Sequence, residues 1–295
     1  MDKRADPQPA ITQEMIDLYD EYTHLTLDRR GFMEKLARLT GSAAAAAAVA
    51  PLIGANPAMA AVVAEDDERL AAERVEYPGA GGAVMKGYLA RPVDAGPLPA
   101  VIVIHENRGL NGYVEDVARR AAVAGFAALA VDFLSLAGGT PADEDEARQM
   151  IGALDPAATL ANAVATVAFL REDSRTTGKV GAVGFCWGGG LANRLAVASP
   201  DLSAAVAYYG AQPKEGIDRI RAAMLLHYAG LDERINAGVP DFEAALKAAG
   251  VDHQIFIYPG VNHAFDNDTS AARYDREASE LAWSRTVAVL REALG

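Results

Sequence analysis

The chain has 295 residues, 51% of them hydrophobic and 23% charged, the proportions of a folded globular protein. Forty Asp and Glu against 27 Lys and Arg give a net charge of −13, which argues against a nucleic-acid groove or an anionic membrane surface as partner. The single cysteine excludes an intramolecular disulfide and a structural zinc site built on cysteines.

Residues 1–28 are polar and of mixed charge, with a short helix expected from Gln13 to Tyr22. Arg29-Arg30, Phe32, an alanine-rich run from Gly41 to Ala55 and Ala58-Met59-Ala60 then resemble a twin-arginine export signal, which implies a periplasmic protein. The competing expectation is a cytoplasmic helical arm, since alanine is the best helix former. The apolar run is too short for stable membrane insertion, which takes about 20 strongly apolar residues. Residues 1–60 are therefore read as an N-terminal extension and 61–295 as the functional domain.

Within that domain Arg74–Arg91 reads as a β-hairpin turning at Gly79-Ala80-Gly81-Gly82. Val101–Ile104 is an unbroken apolar run, as in a strand covered on both faces of a parallel sheet. It leads into His105-Glu106-Asn107-Arg108-Gly109 and a helix over 114–124. Further strands are expected at 127–131, 180–183, 205–209, 224–228 and 254–258. Helices are expected at 144–151, 156–171, 242–249 and 270–294. Such alternation means a mainly parallel, doubly wound α/β sheet flanked by helices, with sites gathered at the carboxyl ends of the strands.

The sequence Gly184-Phe185-Cys186-Trp187-Gly188 is a G-x-C-x-G nucleophile elbow with sulfur as the attacking atom. An inert, buried cysteine would not need glycines on both sides. The following helix N-terminus lowers a thiol pKa and offers backbone N–H groups to an oxyanion. A thiol nucleophile needs a base, and the base an orienting acid, in the chain order nucleophile, acid, histidine. Asp232 and His263 follow later strands in that order. His227 falls inside a strand, and His24 and His253 precede or flank helices, so they are placed worse. Asp132 precedes the nucleophile and reads as a loop-ordering residue. The N–H groups of Asn107 and Trp187 are the expected oxyanion donors. Glu106, at the same rim, would oppose thiolate formation by like-charge repulsion.

His105-Glu106-x-x-Gly109, Gly184-x-Cys186-x-Gly188-Gly189, Asp232 and His263-Ala264-Phe265 together resemble the dienelactone hydrolase (carboxymethylenebutenolidase-like) family of α/β-hydrolases, over about residues 74–294. The resemblance implies an α/β-hydrolase fold and a triad of Cys186, His263 and Asp232, with Glu106 pairing the resting thiol until substrate displaces it. It implies hydrolysis of a cyclic enol ester or related small-molecule ester or lactone through an acyl-cysteine, with no cofactor and no metal. One position departs. Members acting on dienelactone have a carboxylate-binding arginine four residues beyond the histidine, where this chain has Asn267; the nearest arginine is Arg273, and Arg148 is a candidate for a second clamp. A thioesterase or general carboxylesterase would use the same triad, and a silent binding protein or a redox sensor at Cys186 would use the same fold. The oligomeric state is not encoded in any of these motifs.

Overall fold

A computed structural model describes residues 11–24, 27–54 and 61–295. The expected hairpin is there as β1 (Leu70–Pro78) and β2 (Val84–Pro92). They are followed by β3 (Leu98–Ile104), β4 (Ala127–Asp132), β5 (Thr176–Phe185), β6 (Ala204–Tyr208), β7 (Ala223–Ala229) and β8 (His253–Tyr258). These form one sheet in the order β1-β2-β4-β3-β5-β6-β7-β8. The six strands from β4 to β8 run parallel, and β2 is antiparallel to both β1 and β4.

Side chains alternate across a strand, so each central strand feeds two cores. Val101, Val103, Val183 and Val206 face α4 (Gly112–Val123) and the C-terminal helix Arg276–Leu294. Ile102, Ile104, Ala182 and Ala205 face the other helical layer, Pro156–Glu172, Trp187–Ala198 and Val239–Ala249. The sheet is thus covered on both faces, which explains why its strands read as continuous apolar runs.

The helices at the N-terminus are α1 (Gln13–Thr23), α2 (Arg29–Thr40) and α3 (Ala43–Ile53). In chain order after α4 come α5 (Glu144–Gly152), α6 (Pro156–Glu172), α7 (Trp187–Ala198), α8 (Glu233–Asn236), α9 (Val239–Ala249) and α10 (Arg276–Leu294). The last helix starts at Arg276 rather than Ser270. Asn267, Ser270 and Arg273 each donate their N–H to the carbonyl three residues back, a run of turns, and the Asp275 side chain then caps α10 by accepting from Ala278 N–H at 2.9 Å. The polar stretch Asn267-Asp268-Thr269 offers the backbone side-chain partners that compete with helix.

Helices of 11–12 residues are marginal alone, and α1–α3 are held by packing. Met15, Tyr19 and Tyr22 of α1, Phe32 and Leu36 of α2, and Ala46, Val49 and Ile53 of α3 form one buried cluster. Polar contacts fasten it to the body. Tyr22 donates its hydroxyl to Asp145 at 2.5 Å, Arg29 pairs with Asp145 at 2.8 Å, and Ser270 donates to the Ile53 carbonyl at 3.2 Å. Arg148 and Arg108 reach the Tyr22 carbonyl and the Tyr19 hydroxyl. Arg30, the second of the expected signal pair, bonds Glu34 on its own helix at 2.9 Å. The expected Ala58-Met59-Ala60 processing site lies outside the described residues. Among the described residues no single helix is long and apolar enough to cross a membrane.

Candidate active site

β5 runs straight into Cys186, whose backbone has φ 54° and ψ −113°, and α7 starts at the next residue. A side chain at φ above zero is strained, and glycines on either side make room for the turn. A Cβ on Gly184 would collide with the Gly188 carbonyl, and one on Gly188 with the carbonyl oxygens of Ile104 and His105. The elbow is pinned at both ends: Cys186 N–H donates to Tyr208 O at 3.0 Å, and Cys186 O accepts from Gly190 N–H at 3.1 Å. The sulfur therefore stands half-buried at the head of α7.

Asp232 and His263 are brought together as the chain order requires. Asp232 caps α8, accepting Ile235 N–H on one oxygen at 3.1 Å and the Nδ1–H of His263 on the other at 2.5 Å. That bond fixes the imidazole with Nδ1 protonated. His263 Nε2 is buried and has no partner among the described residues. It lines the same cavity as Cys186, and the sulfur and the ring nitrogen lie within 4.8 Å. Burial alone would push the thiol up, but the charge of His263 and the neighbouring His24 ring hold it down at about 6. Burial likewise works against a charged His263; the carboxylate of Asp20, the thiolate and Asp232 outweigh it and raise its pKa well above the ordinary imidazole range. The Asp232 carboxyl, which burial would raise, is kept below its usual range by His263. The shifts of the thiol and of His263 both run in the direction that favours a thiolate beside an imidazolium.

The rim loop after β3 sits against this pair. His105 is buried and stacks on Trp187, with ring centroids 5.2 Å apart; its Nδ1–H donates to Glu106 O at 2.6 Å and its Nε2 accepts from Phe133 N–H at 3.3 Å. Burial lowers its pKa, so it is a neutral strut. Asn107 and Trp187 line the cavity, and neither backbone N–H donates to an acceptor among the described residues. Asp132 orders its own loop, accepting from Leu134 N–H and from Thr140 N–H and Oγ1–H, each at 2.9 Å.

Glu106 has different partners from those the resemblance implies. Its buried carboxylate accepts from Asn267 Nδ2 at 2.8 Å and from the Tyr209 hydroxyl at 3.4 Å, and none of its hydrogen bonds among the described residues reaches Cys186. Its nearer donor is the side-chain amide of Asn267, at the position where the resemblance led to an arginine. Arg148 lines the cavity but is spent on the Tyr22 carbonyl and on Asp145, and Arg273 donates to Ser270 Oγ at 3.0 Å.

Sequence reasoning missed three contributors. His24, at the end of α1, places Nε2 3.7 Å from the Cys186 sulfur and packs edge-on against the His263 ring at 4.9 Å. Arg234 donates to the same His24 nitrogen at 2.8 Å. Tyr209 packs on His263 at 4.8 Å and, like Cys186 and Ala264, has a positive φ. The apolar spacing of Met15, Ile16, Tyr19 and Tyr22 signalled a helix face in need of a partner; nothing local to His24 signalled which partner. His24, Cys186 and His263 present three ligand atoms within 4.8 Å of one another, a set with metal-binding chemistry, with the Arg234 guanidinium 2.8 Å from His24 Nε2.

Comparison with known proteins decides the lineage. The model of the dienelactone hydrolase family matches residues 85–294. The chain belongs to the dienelactone hydrolase family. A Saccharolobus solfataricus protein provisionally named a carboxymethylenebutenolidase is 33% identical over 256 residues, covering 74% of this chain and 98% of its own. Among solved structures, a provisionally named dienelactone hydrolase from Klebsiella pneumoniae superposes with TM-score 0.68 at 29% identity, over 76% of this chain and 99% of that one. A dienelactone hydrolase-like promiscuous phosphotriesterase from metagenomic libraries gives 0.67 at 27%, over 77% and 100%. The fold is accordingly the α/β-hydrolase fold of this family, and the chain is a dienelactone-hydrolase-type hydrolase. A second model, described as YqhI-like, matches residues 6–43, so the N-terminal segment resembles a family of its own.

Proposed function

We propose that the protein cleaves a small carboxylic ester or lactone by acyl transfer to Cys186. The supporting observation is the geometry of the sulfur on its strained turn, with the free Nε2 of an Asp232-anchored His263 across the cavity. The thiolate attacks the carbonyl carbon; a C–S bond forms and the C=O electron pair moves onto oxygen. That oxyanion faces the N–H groups of Asn107 and Trp187 at the head of α7. Collapse breaks the C–O bond to the leaving alkoxide or enolate, which takes the proton from His263 Nε2. Neutral His263 then removes a proton from water as it attacks the thioester, and the second collapse breaks the C–S bond and returns the thiolate, the imidazolium and a carboxylic acid that gives its proton to solvent. Asp232 stays ionised throughout and holds the ring.

The cavity beside Cys186 is about 180 Å³ and is walled by Ile151, Trp187, Ala211 and Ile235 as well as polar groups, which suits a small, partly apolar acyl or leaving group. With Asn267 engaged by Glu106, a dienelactone-type carboxylate has no arginine at that position. The substrate reading is therefore the ester class rather than dienelactone itself.

The test is a single turnover of a small chromogenic ester followed by intact mass of the quenched protein. A burst with an acyl adduct on Cys186, absent from Cys186→Ala, is expected. Equal slow rates for parent and Cys186→Ala, with no adduct, would overturn the reading.

A further inference from the structure

We propose that His24, carried by the N-terminal helix α1, is a further catalytic residue: a second imidazole on the Cys186 sulfur that stabilises its thiolate. The inference deepens the acyl-cysteine reading and rests on it. It also makes α1 part of the working active site rather than an appendage to the domain.

The geometry is specific. His24 sits one residue beyond the end of α1, where its backbone N–H still bonds Asp20 O and its Nδ1–H donates to that same carbonyl at 2.7 Å. The Asp20 carboxylate lies 3.5 Å from Nδ1. Asp20 and His24 therefore repeat, beside the first pair and in ring contact with it, the relation of Asp232 to His263: an acid behind the ring and Nε2 forward, here 3.7 Å from Sγ. The ring does not hang there by chance. The preceding residue, Thr23, accepts a hydrogen bond from Asn107 Nδ2 at 2.6 Å, so the rim loop holds the end of the helix in place. Arg148 stacks over the Tyr22 ring at 4.0 Å and bonds the Tyr22 carbonyl. His24 also divides two spaces, the cavity of about 180 Å³ beside Cys186 and a wider cleft of about 650 Å³ between α1 and the loops of Asp232 and His263.

The charged and titratable groups facing the ring are Asp20 on its own helix, Arg234 from α8, Cys186 at the head of α7 and His263 after β8. Glu106, Arg148 and Arg273 stand on the walls of the adjoining cavities, and Asp17, Glu21, Asp232 and Glu233 line the wider cleft. Arg234 is the competitor, since its guanidinium donates to the nitrogen that faces the sulfur. Its side chain is 46% exposed and also pairs with the Asp20 carboxylate at 4.0 Å; turning it into solvent breaks both contacts and leaves His24 tied to the Asp20 carbonyl. With Arg234 turned away, Nε2 is free to donate to the thiolate while Nδ1 stays held by Asp20. A charge-assisted hydrogen bond of this kind stabilises the acceptor's ionised form and lowers its pKa.

The test is the pH dependence of Cys186 alkylation by iodoacetamide in the full chain, compared with His24→Ala, His24→Gln and Asp20→Asn, alongside kcat and KM for a small chromogenic ester. In His24→Ala the alkylation midpoint is expected to rise by about one unit, which is about tenfold in thiolate fraction below the midpoint, with kcat falling more than KM changes. His24→Gln keeps a donor without the charge and should recover part of the shift; Asp20→Asn should move the midpoint the same way. An unchanged or lower midpoint in His24→Ala, with parent-like kcat, overturns the inference. The two readings separate cleanly. An unmoved midpoint with an acyl adduct on Cys186 sinks only the role of His24. A moved midpoint without any adduct sinks the acyl-cysteine mechanism, and the catalytic role of His24 with it.

Discussion

Removing His263 should uncouple the thiol from its partner, and the structure sets the size of the effect. The charge of His263 is the largest of the influences that bring the thiol from its ordinary value of 9.0 to about 6 against the opposing effect of burial. At pH 7 a thiol of pKa about 6 is about nine-tenths ionised, and one of about 9 only about one-hundredth. A thiolate three units more basic is also roughly twentyfold more nucleophilic, given a Brønsted slope of about 0.4–0.5. The alkylation rate of His263→Ala at pH 7 therefore falls only about fivefold. The midpoint of the rate–pH profile is the sharper readout, moving up from about 6 toward 9 as burial meets only the remaining influence of His24. The assay is iodoacetamide labelling of Cys186 followed by intact mass, with labelling lost in Cys186→Ala. A midpoint near 9 in the parent, or one that stays put in His263→Ala, refutes the ion-pair argument.

Other outcomes follow from the same contacts. Because folding depresses the thiol pKa, its ionisation stabilises the native state above the ordinary thiol range, and that contribution is lost as pH falls through about 6. Parent stability relative to Cys186→Ala, followed by denaturant unfolding, should accordingly grow as pH rises from 6 to 9. Gly188→Ala forces a methyl group onto two backbone oxygens of the central strand region, where nothing flexible can yield. It should cost about 1–3 kcal/mol in urea unfolding and displace the elbow, so that activity falls further than stability does. Asn267→Ala strips Glu106 of its 2.8 Å donor and leaves a buried carboxylate with one long bond; a loss of about 1–3 kcal/mol with unchanged m-value is expected. Finally, cleavage after Ala60, as an export signal would require, removes His24 with α1–α3. Intact mass of the mature protein should therefore retain residues 13–54, and a product starting at Ala61 would contradict a catalytic role for that helix.

Most of the body was legible because its strands are buried on both faces and so read as short apolar runs between turn residues; β3, β4 and β7 were each recognisable on that ground alone. The elbow was legible for a different reason. Its glycines are demanded by backbone oxygens, so the motif is written locally, and Asp232 and His263 follow at strand ends in a fixed order. The start of α10 was misplaced because side chains at 267–270 satisfy the backbone in ways that helical periodicity does not register. The partner of Glu106 depended on a single amide, Asn267, whose role shows only when the two loops meet. His24 lay furthest from reach. Its distance from Cys186 is 162 residues along the chain, and what brings it there is the docking of a whole helical unit through Asp145, Asn107 and Ser270.

The way that unit is docked has a bearing on when the enzyme comes alive during synthesis. Helices α1–α3 leave the ribosome first, yet the groups that hold them are made much later: Asp145 and Arg148 in α5, Asn262 opposite Gln13, Ser270 against Ile53, and Arg273 over the Tyr19 ring. The three helices are too short to persist alone, so they stay without a stable seat until nearly the whole chain has been made. The sulfur of Cys186 is synthesised before His263 and before the N-terminal helices can settle over it. On the proposed mechanism, a nascent chain thus carries a thiol of ordinary basicity, largely protonated at neutral pH, and its activation awaits the closing of the last strand and the first helix on it together.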